Sequence, residues 1–404
     1  MNQDLKPELP SPAWHTPTKE QVIVRVGLVV FLSFFIYIVT VLSSTVLIQL
    51  GNAQYSAGNE KLGTSSYNVA LALNSDLRNA VNQCHADVIQ QQYESAVEHC
   101  SDVIKIERNY APAYSGRGYA YLELKQYDQA IADFTKDIEL IPVATRSYIN
   151  RGGAYMELNK YNLAIADLTK SIEINPNEPQ AWLNRGLTRL QQDQSDLAIA
   201  DCNKAIELYE KYSNAHFCLG VAFTRQKKYE LAISNFDKAI ELDPGNQAVY
   251  FLRGSIYDSQ GRKDLALADY TKAIEIDPVY SPAYSSRGVL YAAQGDYDLA
   301  ISDFNKALKI DPNYVDVYVQ RGNAFADTKN FPEAIADYEK AISISDNSRT
   351  ISYAYCVRGI TYTKMGDFES AIASLEQGVK ADIANENGWC KTALENAHQG
   401  IPIP

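Results

Sequence analysis

Residues 111–144 read APAYSGRGYAYLELKQYDQAIADFTKDIELIPVA. Tyr114, Gly118 and Tyr121 fall at i, i+4 and i+7, one face of a helix, and Ala130, Phe134 and Ile138 give a second helix with that spacing. Lys125-Gln126 supplies a short turn between them. Pro142 stops the second helix, because proline lacks the amide that the helix needs. Each helix is about 12–14 residues, too short to persist alone in water, so the pair must pack on a neighbour. The pattern returns to provide one. Arg117-Gly118 recurs as Arg151-Gly152, Arg185-Gly186, Arg253-Gly254, Arg287-Gly288 and Arg321-Gly322, with Leu219-Gly220 in the one gap, always at steps of 34 residues. Arg358-Gly359 follows after 37, which places a three-residue insertion near 346–352. A degenerate unit precedes the first copy: Tyr93 and Ala96 keep register, and Cys84 replaces the glycine.

Two columns of the repeat carry structural meaning. Alanine fills one position in all nine units: Ala96, Ala130, Ala164, Ala198, Ala232, Ala266, Ala300, Ala334 and Ala371. Glycine fills the facing position in eight units, although glycine inside a helix costs about 1 kcal/mol relative to alanine. Its recurrence implies helix backbones crossing there with no room for a side chain. The arginine before the glycine also has a partner in the pattern. An aspartate stands sixteen residues after Arg117, Arg151, Arg185, Arg253, Arg287 and Arg321, as Asp133, Asp167, Asp201, Asp269, Asp303 and Asp337. Where Leu219 replaces arginine the later residue is Asn235, and Arg358 has Ser374. The copies co-vary, so a salt bridge between the two helices of a unit is expected, with a structural role.

The unit resembles the tetratricopeptide repeat: aromatic-x2-Leu-Gly-x2-Tyr, then Ala-x3-Phe, then Pro, over 34 residues. Its aromatic is Tyr114, Tyr148, Trp182, Tyr250, Tyr284, Tyr318 or Tyr355; the later ring is Phe134, Phe236, Tyr270, Phe304 or Tyr338; the proline is Pro142, Pro176, Pro244, Pro278 or Pro312. Arginine stands mostly where the family has leucine. The resemblance covers 77–385. It implies an all-α fold, a right-handed superhelical solenoid of about nine helix-turn-helix repeats with a concave groove for protein ligands. It also implies which side chains line that groove. At the fifth repeat position stand Ile149, Leu183, Phe217, Phe251 and Val319, and at the ninth Leu187, Val221 and Val289. This ladder is apolar, and exposed apolar strips mark interaction sites. An apolar or amphipathic protein segment is therefore the expected partner, docking around Ile149, Leu183, Phe217 and Phe251; half-burial of these side chains between helices is the competing reading. No lysine occupies the fifth position, so a basic clamp for a terminal carboxylate is not expected.

The rest of the chain frames the array. Val26–Leu50 contains no charged residue, long enough to span a bilayer, which takes about 20 apolar residues, and longer than a signal-peptide core. Gly51-Asn52-Ala53 loosely mimics a cleavage site; an uncleaved anchor over 22–50 is the preferred reading. Lys6, Lys19 and Arg25 precede the span and only Lys61 closely follows it, which places the 1–21 tail in the cytoplasm and the repeats on the periplasmic, lumenal or extracellular side. Residues 51–66 read as a flexible tether, within a 51–76 stretch that is linker and the start of the helical region, and 386–398 as a polar-faced helix capping the last repeat, within a 386–404 capping helix and tail.

The formal charge of −12 repels phosphate backbones, so nucleic acid is not an expected partner. Five histidines without metal-ligand spacing, and the absence of a phosphate-binding loop, exclude a recognisable catalytic site; no cofactor, metal or small-molecule substrate is expected. Cys84/Cys100 and Cys202/Cys218 are each sixteen apart. Either pair is a candidate disulfide in an oxidising compartment, or its thiols fill small core sites. The first pair is open between the two readings and the second is better read as free. The chain is thus expected to be a non-enzymatic scaffold or assembly factor on a bacterial-type membrane, with a permanent subunit of a membrane complex or an enzyme accessory module as alternatives.

Overall fold

The computed structural model describes residues 19–381 and 388–401. The expected 1–21 tail lies largely outside them. The described residues are helical throughout, without a strand, and the chain divides into two compact units, 1–192 and 193–404. The first unit holds α1 (Lys19–Ser56), α2 (Glu60–Leu73), α3 (Ser75–Ile89), α4 (Tyr93–Ile106), α5 (Ala111–Glu123), α6 (Tyr127–Leu140), α7 (Thr145–Glu157), α8 (Tyr161–Ile174) and α9 (Pro179–Gln191). The second opens with α10 (Ser195–Leu208) and continues through α11 (Ser213–Arg225), α12 (Tyr229–Leu242), α13 (Gln247–Ser259), α14 (Lys263–Ile276), α15 (Ser281–Gln294) and α16 (Tyr297–Ile310). It ends with α17 (Val315–Asp327), α18 (Phe331–Ile344), α19 (Ser348–Met365), α20 (Phe368–Ala381) and the capping helix α21 (Gly388–His398). In each unit consecutive helices pair as hairpins that stack on their neighbours, the solenoid arrangement expected.

The hairpin turns need one left-handed residue each. Gly261, Gly295 and Gly366 meet that need without strain, whereas Lys125, Asn159, Lys227 and Lys329 adopt φ between 56° and 62° despite carrying a Cβ. Inside each hairpin the nine alanines are fully buried. The space over the facing glycine is filled differently from expectation. A Cβ at Gly288 would lie 2.7 Å from the Phe304 ring, and one at Gly322 2.6 Å from the Tyr338 ring. The ring of the second helix, more than its bare backbone, occupies the place of the missing side chain.

The arginine–aspartate bridges form as expected and reach further. Arg287 donates from Nε and Nη2 to Asp303 at 2.7 and 3.0 Å. The same two-pronged bridge joins Arg117 to Asp133, Arg151 to Asp167, Arg253 to Asp269 and Arg321 to Asp337. The third nitrogen donates backwards to the preceding hairpin: Arg117 to Ser101, Arg151 to Thr135, Arg287 to Thr271 and Arg321 to Asn305. Aromatic rings bracket the guanidinium, as Tyr284 and Tyr291 do for Arg287 at 5.9 and 5.8 Å. Each arginine therefore fastens three helices. The backward partner also sits sixteen residues away, so one spacing serves both crossings.

All six cysteines are paired, which corrects the reading of Cys202 and Cys218 as free. Cys84–Cys100 ties α3 to α4, replacing the glycine-and-ring contact of later hairpins; Cys202–Cys218 ties α10 to α11; Cys356–Cys390 ties α19 to α21. The second pair forms because the sixteen-residue spacing also brings a second helix against the next first helix, with Cα atoms 6.3 Å apart. The third pair escaped the sequence reading. Its signal was Gly378, which stands where other units hold Ala341 and Ala307: a Cβ there would lie 2.5 Å from Cys356 Sγ.

The expected tether at 51–66 is instead a helical hairpin. α1 runs unbroken through Ser56 and α2 folds back along it. Gly51 lies under the Tyr67 ring and Gly63 under the Tyr55 ring, each too close for a Cβ. Tyr67 donates to Asn52 Oδ1, and Ile48, Tyr67 and Ala70 join the core of α3–α5 with Leu77, Val103 and Tyr110. Glycine reads as linker only while its packing partner is unseen; Tyr55 and Tyr67 were that partner. Val30–Ser56 is, among the described residues, the one stretch of helix long and apolar enough to cross a membrane, as a signal sequence also is.

Two measurements test this packing. Breaking a largely buried ion pair from one side costs about 3–5 kcal/mol, whereas replacing both partners by apolar residues is often neutral. Arg287→Met should therefore lower the chemical-denaturation midpoint more than the double variant Arg287→Met/Asp303→Leu. Asp137, buried at the α6–α7 contact and accepting from Ser147, has its carboxyl pushed up to about 6 by burial, against the opposing pull of that hydrogen bond. Its folded-state value lies above the unfolded one, so it penalises the fold above pH 6 and the penalty disappears as pH falls to 4. Asp137→Asn should raise thermal stability at pH 7.5 by up to about 3 kcal/mol, with the gain gone near pH 4.

Candidate docking surface

The ladder expected to line the groove lies on the first helices of the hairpins, and packing divides it into three classes. In the first unit Ile149 on α7 and Leu183 on α9 are 6% and 2% exposed. In the second unit Val319 on α17 is 4% exposed. These three serve the core: Ile149 and Leu183 offer no surface to a ligand, and Val319 only a small one. The cause is the hairpin crossing: the fifth position faces the second helix of its own unit, so Ile149 joins Ala164 and Leu168, and Val319 joins Ala334 and Tyr338.

Phe217 and Phe251 are half-buried, the competing reading of the sequence. Phe217 packs against Phe236 with ring centroids 6.2 Å apart, and Phe251 against Tyr270 and Tyr280 at 5.8 and 5.5 Å. Both residues remain partly accessible. Leu187 on α9 and Val221 on α11 are also partly buried, and Val289 on α15 is 37% exposed. The accessible apolar surface therefore runs along the ninth position, one turn beyond the fifth. In the second unit Val221, Ser255, Val289 and Asn323 form that row, on successive first helices. It is narrower and more polar than the sequence ladder implied.

Sequence reading missed one feature here. The insertion near 346–352 lengthens α19 to 18 residues, against 13 in α17. The added turn places Arg349 and Thr350 beside α17, where they border an open cavity of about 340 Å³ with Asp316, Val319, Gln320 and Tyr353. Val319 contributes a wall rather than an open apolar strip. The insertion itself was the signal, since an extra helical turn between stacked units must project side chains past its neighbour. Among the described residues no group of three histidine, cysteine, aspartate or glutamate side chains could hold a metal ion.

Family models of the tetratricopeptide repeat match residues 111–143, 152–193, 179–212, 213–246, 248–280, 281–314 and 313–384, together more than half of the chain. Among solved structures, a tetratricopeptide repeat protein from Parabacteroides merdae is 20% identical with a TM-score of 0.52, covering 62% of this chain and 100% of that one. A chain of the APC/C hetero-tetramer Cut9–Hcn1 is 17% identical with a TM-score of 0.52, covering 86% of this chain and 74% of that one. Both likenesses concern the fold. No curated protein sequence matches this chain.

The division between core and surface is testable by stability alone. Phe251→Ala removes a ring wedged between two others and should cost about 2–3 kcal/mol, whereas Val289→Glu should stay within about 0.5 kcal/mol. Thermal melts of the two variants check this; an equal loss from both would place Val289 in the core.

Proposed function

This chain belongs to the tetratricopeptide repeat family, and on that premise we propose that it is a non-catalytic, membrane-anchored scaffold that binds an apolar or amphipathic segment of another protein. The carrying observation is the row Val221, Ser255, Val289 and Asn323, with the half-buried Phe217 and Phe251 beside it. An extended segment or helix laid across α11, α13, α15 and α17 meets one such position per hairpin. Its apolar side chains cover Val221 and Val289, and its backbone or polar side chains meet Ser255 and Asn323. The cavity between α17 and α19, lined by Asp316, Gln320 and Thr350 among others, gives such a segment a polar end point.

Anchoring by an uncleaved α1 is supported by packing. Gly51 and Asn52 are buried, so a cut at 51–53 would strip Ile48 and Gly51 from the first hairpin. Placement of the repeats outside the cytoplasm is supported by chemistry. Three disulfides that consume all six cysteines fit an oxidising compartment, the side that the flanking basic residues favour.

A mild-detergent pull-down from native membranes tests the docking reading, comparing wild type with Val221→Glu/Val289→Glu. Protein captured by the wild type should be lost from the double variant, while the two melt at similar temperatures. Capture unchanged by the two charges would remove the ninth-position row as the docking surface.

A further inference from the structure

The first hairpin sets how far the array stands from a membrane. α2 runs antiparallel to α1: Tyr55 meets Thr64 through a 2.6 Å hydrogen bond, Asn52 meets Tyr67, and Ile48 shares a core with Ala70. Continued to the end of α2, this register brings Leu73 level with Thr45 and Val46. The end of α4 arrives at the same height, where Thr45 Oγ1 donates to Glu107 Oε2 at 2.6 Å. The folded array therefore has a lower edge on α1 at about Thr45. Below it, the described side chains from Val30 to Ile38 are exposed, and full burial along α1 begins at Ser44 and returns at Ile48, Gly51 and Asn52.

The length below that edge is informative. Val26–Ser44 has no charged residue and rises about 28 Å as a helix, against a hydrocarbon core of about 30 Å. The lower edge of the array then coincides with the bilayer boundary, leaving no stretch of chain between them. The side chains at that edge suit such a boundary. Val46, Val69, Leu73 and Ile106 are exposed and apolar, and α2 has no charge after Lys61. Lys105 and Arg108 flank Ile106, with Lys105 also paired to Asp102 at 2.7 Å. Of the carboxylates nearby, Glu107 is buried on Thr45, Asp102 pairs with Lys105, and Asp76 is exposed at the start of α3, just past Leu73.

We propose that this edge is a second membrane contact, a seat on the lipid surface formed by Leu73 and Ile106 among the acyl-chain ends, with Lys105 and Arg108 at the phosphates. It rests on the reading of α1 as a membrane span. The first hairpin makes the anchor a rigid mount, and the first unit of the array rests on the bilayer at a fixed height.

Site-directed spin labelling tests the seat. Because the six native cysteines are paired, a single introduced cysteine directs the label. Full-length Val30→Cys, Leu62→Cys, Leu73→Cys and Ile106→Cys, each labelled, are reconstituted into phosphatidylcholine/phosphatidylglycerol vesicles. Collision with oxygen, which concentrates in lipid, is compared with collision with a water-soluble nickel chelate. The seat predicts oxygen preference at 30, loss of nickel access at 73 and 106, and full nickel access at 62 on the far end of α2. Nickel access at 73 and 106 equal to that at 62, with 30 still in lipid, would overturn the seat and leave the anchor standing. Nickel access at 30 as well would overturn the anchor reading and the seat with it.

Discussion

The array depends on how closely two helices of a hairpin can approach at one glycine. With no Cβ at Gly220, Gly288 or Gly322, the ring of Phe236, Phe304 or Tyr338 seats directly on the first helix. That contact sets the crossing, and the crossing sets the rest. It turns the fifth position inward, leaves the ninth at the surface, and brings positions sixteen residues apart face to face. The arginine next to each glycine uses that geometry twice, forward to its aspartate and backward to the preceding hairpin. A helix too short to persist alone is thereby held by its neighbours on both sides. Stability in such an array accumulates through nearest-neighbour interfaces, so each clamp matters most to the hairpins it joins.

Much of this was legible because a repeat offers internal comparison. Leu219 interrupts the arginine column in the same unit in which Asn235 interrupts the aspartate column. That paired departure identified the forward bridge from one sequence. The same register named the alanine and glycine columns. What failed was the inference from residue type to exposure. Ile149, Leu183 and Val319 are apolar because they are core, and only the crossing angle tells that from an apolar groove. Gly51 and Gly63 were misread as tether for a related reason: without their tyrosine partners, close-packing glycines look the same as flexible ones. Gly378 and the insertion near 346–352 were visible departures from register, and each marks a local device, a disulfide and a cavity.

The first hairpin and the disulfides bear together on where the protein works. A hairpin fused to an apolar helix, without an intervening tether, couples the orientation of the first unit's repeats to that of the helix. The disulfides sit at α3–α4, at α10–α11 and at the α19–α21 cap, where the regular contact is replaced or the solenoid ends. The last of these limits fraying at the cap, since an end hairpin has a neighbour on one side only.

The most direct test of an anchored array facing an oxidising compartment is the intact mass of the chain from alkali-washed native membranes, extracted with a thiol-alkylating reagent present. The account predicts a chain retained in the membrane, still carrying the residues before Gly51, with no alkyl adduct. A chain released by the wash and beginning near Gly51, or one bearing adducts on Cys84, Cys202 or Cys356, would contradict it.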